Sequence, residues 1–375
     1  MNSEHYQISP IEMAITLISM LLAVGILTLP RTLAETIETG DGWISVLLSG
    51  VIAMGIVYIF VHLQKQFPEQ TLLQFLGKKG AGKWIAKLLA LTFVVYFVTF
   101  LAYEARMLTI IVRMYLLDRT PPEITLAIIV LTSTYAVTKG IQGIVHLNLM
   151  FIPFIVGLYI MLILFNVENI DISQIRPVMS MGILPVVEGI KPSLPSFLGL
   201  ELMFFWLAYM KKHDLRARPL NIGIAVVTLL YFLIVFFSYT VMSVVGVKHN
   251  VFPALGLAKE VEIVEGMIER FEPIMIVIWI MAIFTSMAMI QLLALQIIKS
   301  ELIRKKKGIW ILAFIAFFAY CIAFIPNSIH EVFLLGELLS YTGSSLILIG
   351  LVIGYVTIWY RRNKKNRTKS RELSQ

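Results

Sequence analysis

Ala23-Val24-Gly25-Ile26-Leu27-Thr28-Leu29-Pro30 lies inside the first long apolar block of the chain, and Phe197-Leu198-Gly199-Leu200-Glu201, led in by Pro192 and Pro195, lies inside the sixth. Each stretch puts a glycine near the middle of a block long enough to cross a bilayer, with proline close by, so each helix can unwind there. Ten such blocks divide into two halves of five, and the breaks fall at the first position of each half. Five crossings are an odd number, so the second half enters from the opposite side and the halves are inverted repeats. Broken helices at equivalent positions of inverted halves are a pointer to a midplane ligand site. The N–H groups of a half-helix N-terminus favour an anion and the carbonyls of a half-helix C-terminus favour a cation. A zwitterionic amino acid presents both charges. Membrane helices also tolerate glycine and proline as plain kinks, which leaves a purely structural reading open.

The ten blocks run over 11–31, 43–62, 84–112, 122–138, 142–165, 192–210, 219–244, 273–300, 308–325 and 333–359. Of the 375 residues, 58% are apolar and 14% charged, against about a quarter charged in a soluble domain. The expected fold is therefore an all-α polytopic membrane protein: a single transmembrane domain over 1–375, with a first repeat over 11–165, a second over 192–359 and a basic tail over 360–375. The first ten residues lack a basic n-region and no cleavage site follows, so the first span is expected to be retained. Cys321, the only cysteine, sits in an apolar block, where a buried inert thiol is expected.

The net charge of +8 is distributed by topology, and no nucleic acid is implied. Placing the N-terminus inside assigns Lys65, Lys78, Lys79, Lys83, Lys139, Lys211, Lys212, Arg216, Arg218, Lys299, the run Arg304 to Lys307 and the tail to the cytoplasm, so both termini are expected there. The two longer connections, 166–191 and 245–272, are acidic. Within the second, Val261, Val264, Ile268 and Phe271 recur at helical spacing, which predicts an amphipathic helix over Lys259–Glu272 serving as a cap or a docking surface.

Glu104, Glu201 and Glu337, with Arg106, lie inside or near the ends of spans. A charge at the centre of a span costs roughly 2.5 to 3.5 kcal/mol, so such residues face the protein interior or an aqueous cavity. Glu201, beside the second break, can anchor an ammonium, relay a proton or hold the broken helix by accepting backbone hydrogen bonds. Glu104 and Arg106, two residues apart, point to nearly opposite faces and are not expected to pair; Arg106 can snorkel outward. Gly77 to Lys83 mimics a P-loop, but Trp84 stands where serine or threonine is required. Gly350 and Gly354 form a GxxxG, a signature of close helix packing. No metal spacing among the histidines, nucleophile elbow or paired catalytic carboxylates is present, so neither metal, cofactor nor enzymatic activity is expected.

Gly25-Ile26-Leu27-Thr28-Leu29-Pro30-Arg31 in span one, Lys139-Gly140-Ile141 with Leu147-Asn148 leading into span five, Gly199-Leu200-Glu201 in span six, and Glu269-Arg270-Phe271-Glu272 ahead of Trp279 in span eight keep an order and spacing that resembles the B subunit of bacterial spore germinant receptors. That family belongs to the amino acid/polyamine/organocation transporter superfamily. The resemblance implies the five-plus-five inverted repeat, a nutrient ligand such as an amino acid, receptor A and C subunits as partners, and residence among the lipids of the spore inner membrane. It also implies a pocket among spans one, three, six and eight. Depth counting then puts Val24, Gly25, Tyr96, Phe100, Tyr103, Phe197, Leu198, Gly199, Thr285 and Met289 around it, with Glu201 and Glu104 as coupling or structural charges. Val24, Gly25 and Leu198 would offer backbone groups, while Phe100 and Met289 would shape the side-chain pocket. Tyr96, Phe100 and Tyr103 share one helical face and fit an aromatic packing stripe equally well. The first break lacks the glycine-rich run usual in the superfamily, which argues for sensing over vigorous transport. A proton-coupled amino acid transporter is the alternative.

Overall fold

The computed structural model describes residues 6–23, 25–78, 82–261, 271–303 and 308–372, with backbone alone at 272 and over 364–372. The first span is two helices, α1 (Pro10–Leu21) and α2 (Gly25–Ile37), bent by 54°. α1 starts on a capping box: the Glu12 N–H donates to Ser9 Oγ at 3.3 Å and the Ser9 N–H to Glu12 Oε2 at 2.7 Å. Then follow α3 (Gly42–Gln64), a short α4 (Leu72–Leu76) with its own Thr71/Gln74 box, α5 (Gly82–Tyr115), α6 (Pro122–Val137) and α7 (Gly140–Phe165).

The second half opens with short turns rather than one helix. α8 (Leu184–Glu188), α9 (Ile190–Ser193) and a 3-10 turn at Leu194–Phe197 lead to the break. A 3-10 turn at Leu200–Leu202, α10 (Met203–Trp206) and a last 3-10 turn at Leu207–Tyr209 complete the crossing. α11 (Ala217–His249), α12 (Pro253–Lys259), α13 (Glu272–Ile297, extended by a π turn to Leu302), α14 (Gly308–Ala323) and α15 (Ile329–Glu372) finish the chain.

Among the described residues every regular element is helical. Six helices, α3, α5, α7, α11, α13 and α15, are individually long and apolar enough to cross a membrane, and the α1/α2 pair makes a seventh as one bent span. Shorter apolar helices, α6, α14 and Leu200–Tyr209, occupy the three remaining positions where the sequence expects a crossing. α11 and α13 form the middle of the bundle: α11 packs on α1, α2 and α3, and α13 on α1, α5, α6, α7 and α14.

Several boundaries depart from expectation. α11 continues past residue 244 to His249, through a kink where Ser243 has φ 62°. α15 runs on through the basic tail to Glu372 because lysine and arginine are good helix formers and no glycine or proline stops it. Cys321, expected to be buried, is exposed on the outer surface of the bundle. Most of the amphipathic stretch over Lys259–Glu272 lies outside the described residues. Gly350 and Gly354 serve packing within the chain, facing Phe204 and Leu63.

The face of the bundle opposite the basic tail carries the long connection, and it is tied down rather than loose. Buried Asp41 accepts the Met179 N–H at 2.8 Å and the Thr39 hydroxyl at 3.0 Å, while the Asp171 N–H donates to the Thr240 carbonyl at 3.0 Å. Asn166 and Asn169 reach the carbonyls of Leu257 and Glu260. At this far face α2 also packs on α8, α9 and α12.

Candidate functional site

The two breaks meet. A Cβ at position 25 would sit 3.1 Å from Ser196 Cα and 3.2 Å from its carbonyl oxygen, so only glycine lets the start of α2 lie against the turn before the second break. Tyr231 of α11 points its hydroxyl at both: it faces the Leu21 carbonyl at the end of α1 and donates to the Ser196 carbonyl at 2.8 Å. Gly199 has φ 113°, a conformation that side-chain-bearing residues rarely adopt.

Glu201 is fully buried directly behind this turn. Its Oε2 accepts the Gly199 N–H at 2.9 Å and its Oε1 accepts the Tyr96 hydroxyl at 2.7 Å. Of the three roles open to it in the sequence, this geometry is the holding one: the carboxylate satisfies a backbone donor that the break leaves without a helical partner.

A cavity of about 620 Å³ opens from the breaks toward the far face. Gly25 and Thr28 of α2, Ser196 and Leu198 of the second break, and Phe100, Tyr103 and Glu104 of α5 line it, so the first turn of α2 borders the cavity. Glu104 is 1% exposed and its Oε2 accepts the Ser286 hydroxyl at 2.6 Å. Among the described residues no cation lies within ion-pair distance of it. The mouth is ringed by charge, with Arg31 ion-paired to Glu35 at 2.8 Å beside Lys191 and Glu337, and His330 lies among them.

The remaining wall is α15, a span outside the four expected to form the pocket, although its Glu337 stood out as an embedded acid. Phe333, Gly336, Ser340 and Tyr341 face the cavity. The helix comes this close because its glycines receive the tyrosines of α5: a Cβ at Gly336 would lie 2.7 Å from Tyr103 Oη, and one at Gly343 2.5 Å from Tyr96 Oη. Both pairs are seven residues apart and the helices run antiparallel, so the two tyrosines seat two turns apart on one seam. That heptad of Gly336, Gly343 and Gly350 was the available signal.

Of the residues expected around the pocket, Gly25, Phe100, Tyr103, Leu198 and Glu104 line the cavity, and Val24 lies outside the described residues. Tyr96, Phe197, Gly199 and Glu201 form a layer behind its wall. Thr285 and Met289 belong to a different cluster. Ser19 of α1 shares a hydrogen bond of 2.9 Å with Thr285 and donates to Asn148 Oδ1 at 3.1 Å, and Asn148 Nδ2 lies 3.2 Å from the Met289 sulfur. This buried polar knot fastens α1, α7 and α13 apart from the cavity lining.

The model of a family described as spore germination protein matches residues 7–332. The chain belongs to the spore germination protein family. This germination protein is 32% identical to spore germination protein YndE of Bacillus subtilis (strain 168) over 96% of its own length and 98% of the relative's. Its fold is similar to that of a substrate-bound, outward-open Na+-coupled sialic acid symporter, with TM-score 0.68 at 12% identity over 93% of this chain and 81% of that one. It is also similar to MhsT in complex with L-phenylalanine, with TM-score 0.67 at 13% identity over 93% and 89%. The germination protein is thus a polytopic membrane protein with the inverted-repeat transporter fold and a germinant-receptor or permease-like role, and neither its family nor these fold neighbours are enzymes.

Proposed function

We propose that this chain is the germinant-sensing subunit of a spore nutrient receptor, and that its cavity takes an amino acid with the ammonium against Glu104 and the carboxylate against the first turn of α2. The observation that carries this reading is a buried carboxylate, unpaired with any cation among the described residues, facing the same cavity as a half-helix N-terminus. Val24, Gly25 and Leu198 would supply backbone groups, and Phe100 and Tyr103 would border the ligand side chain. Met289, turned toward Asn148, is not part of this proposal. A fold neighbour that binds L-phenylalanine supports the ligand class. In this reading the chain is one transmembrane unit of two repeats, 11–165 and 192–359. It sits in the spore inner membrane with both termini cytoplasmic, and it signals to A and C subunits rather than transporting.

The test is equilibrium binding to the purified full chain, comparing amino acids with the corresponding primary amines, with the corresponding carboxylic acids and with simple sugars. Binding that requires both ammonium and carboxylate on one molecule is expected. Equal binding of an amine or a sugar overturns the assignment.

A further inference from the structure

A second site lies away from this cavity, at the far-face end of α5. Arg106, Thr109 and Arg113 follow one another along one side of the helix and line a crevice of about 330 Å³ closed by Asp118 and by Pro122 at the start of α6. Arg106 is poorly satisfied there. Its Nη2 donates to the Pro326 carbonyl at 3.3 Å and its guanidinium lies 5.1 Å from the centre of the Phe324 ring, but its buried Nε has no acceptor. Arg113 has no carboxylate within ion-pair distance among the described residues, nor has Asp118 a cation. The Thr109 hydroxyl spends its hydrogen on the Ala105 carbonyl, at 2.8 Å.

Two guanidinium groups on one helix face, one with a buried unsatisfied nitrogen, repel each other; Glu123 at the start of α6 offsets part of this at Arg106 but lies beyond ion-pair distance, which leaves room for an anion between the two. Guanidinium forks match phosphate oxygens in pairs. The surroundings say which phosphate. Met114, Leu117 and Ile124 beside the crevice are 50%, 45% and 52% exposed, an apolar surface of the kind that acyl chains cover. Asp118 adds a carboxylate within headgroup reach of the arginines.

We propose that this crevice holds the phosphodiester of a membrane phospholipid between Arg106 and Arg113, and that Asp118 favours a headgroup bearing an amine. The test uses the delipidated full chain in detergent, with native mass spectrometry after adding back phosphatidylethanolamine or phosphatidylglycerol, and inorganic phosphate as a separate arm. The wild-type protein should retain one phosphatidylethanolamine, and Arg113→Gln, a change at an exposed position, should lower that retention roughly tenfold, about the loss of one charge-assisted contact. Asp118→Asn should abolish the preference over phosphatidylglycerol without abolishing phospholipid binding. Unchanged retention in both Arg113→Gln and Arg106→Gln/Arg113→Gln overturns the site. Inorganic phosphate that displaces the lipid at millimolar concentration overturns the lipid as its occupant, and equal binding of the two lipids by the wild type overturns the role of Asp118.

Discussion

Glu104→Gln separates a ligand-binding carboxylate from a structural one. Glutamine keeps the shape and retains an oxygen to accept the Ser286 hydroxyl, now at 2.6 Å from Glu104, so the tie between α5 and α13 survives. What disappears is the charge. A hydrogen bond to a charged group contributes about 1.5–3 kcal/mol, and about 1.4 kcal/mol is a factor of ten, so amino acid affinity should fall roughly 10- to 150-fold. Stability should not fall with it, because a charged side chain within a span costs roughly 2.5–3.5 kcal/mol and the amide avoids that cost. The assay is a germinant dose–response on spores carrying the variant, with the melting temperature of the purified protein measured in detergent. A half-maximal concentration unchanged at normal abundance would refute the reasoning, as would a loss of response matched by a comparable loss of stability.

Gly25→Leu should weaken ligand response strongly while changing abundance less, since its side chain must displace the Ser196 backbone 3.1 Å from its Cβ and also favours an unbroken helix; normal response at normal abundance would move the site elsewhere. Cysteines introduced near Lys306 and in the tail should be protected from impermeant thiol reagents in intact cells, whereas one near Glu262 should label; labelling of the tail from outside would invert the topology. Protein reconstituted alone in liposomes should bind a germinant without accumulating it under a proton gradient. Saturable uptake lost in Glu201→Gln would make the chain a proton-coupled transporter.

Much of the fold could be read from the sequence because a bilayer imposes it: block length sets the spans, and glycine and proline inside a block mark where a helix can open. Gly25 and Gly199 were found for that reason, and Glu104 and Glu201 because embedded acids are rare. Depth counting placed Thr285 and Met289 around the pocket, but depth says nothing of azimuth, and both turn toward Ser19 and Asn148. Of α15, only Glu337 stood out, as an embedded acid; the glycines that bring the helix to the wall act through the absence of side chains. Gly336 and Gly343 matter through Tyr103 and Tyr96, which are more than two hundred residues away in sequence, so the glycine heptad marks a close approach without saying which helix makes it. Cys321 was expected to be buried because apolar neighbours look alike whether they face protein or lipid.

The Tyr231 hydroxyl has a single hydrogen atom and two carbonyls in reach, those of Leu21 and Ser196. A shift of either carbonyl hands that hydrogen to the other, so the two breaks share one pin. From the pin, α11 runs on from Tyr231 through the kink at Ser243 to His249 at the far face, at most about 27 Å. There Lys248 Nζ grips Glu38 at 2.7 Å, one residue beyond the end of α2. α2 then returns to Gly25, at the break where the circuit began. Two helices, one of them kinked at Ser243, are thus tied together at both ends, deep in the bundle through Tyr231 and at the surface through an exposed ion pair. A displacement of Gly25 therefore has a continuous path along α2 to the Glu38–Lys248 pair at the far face, more than the length of one helix from the break.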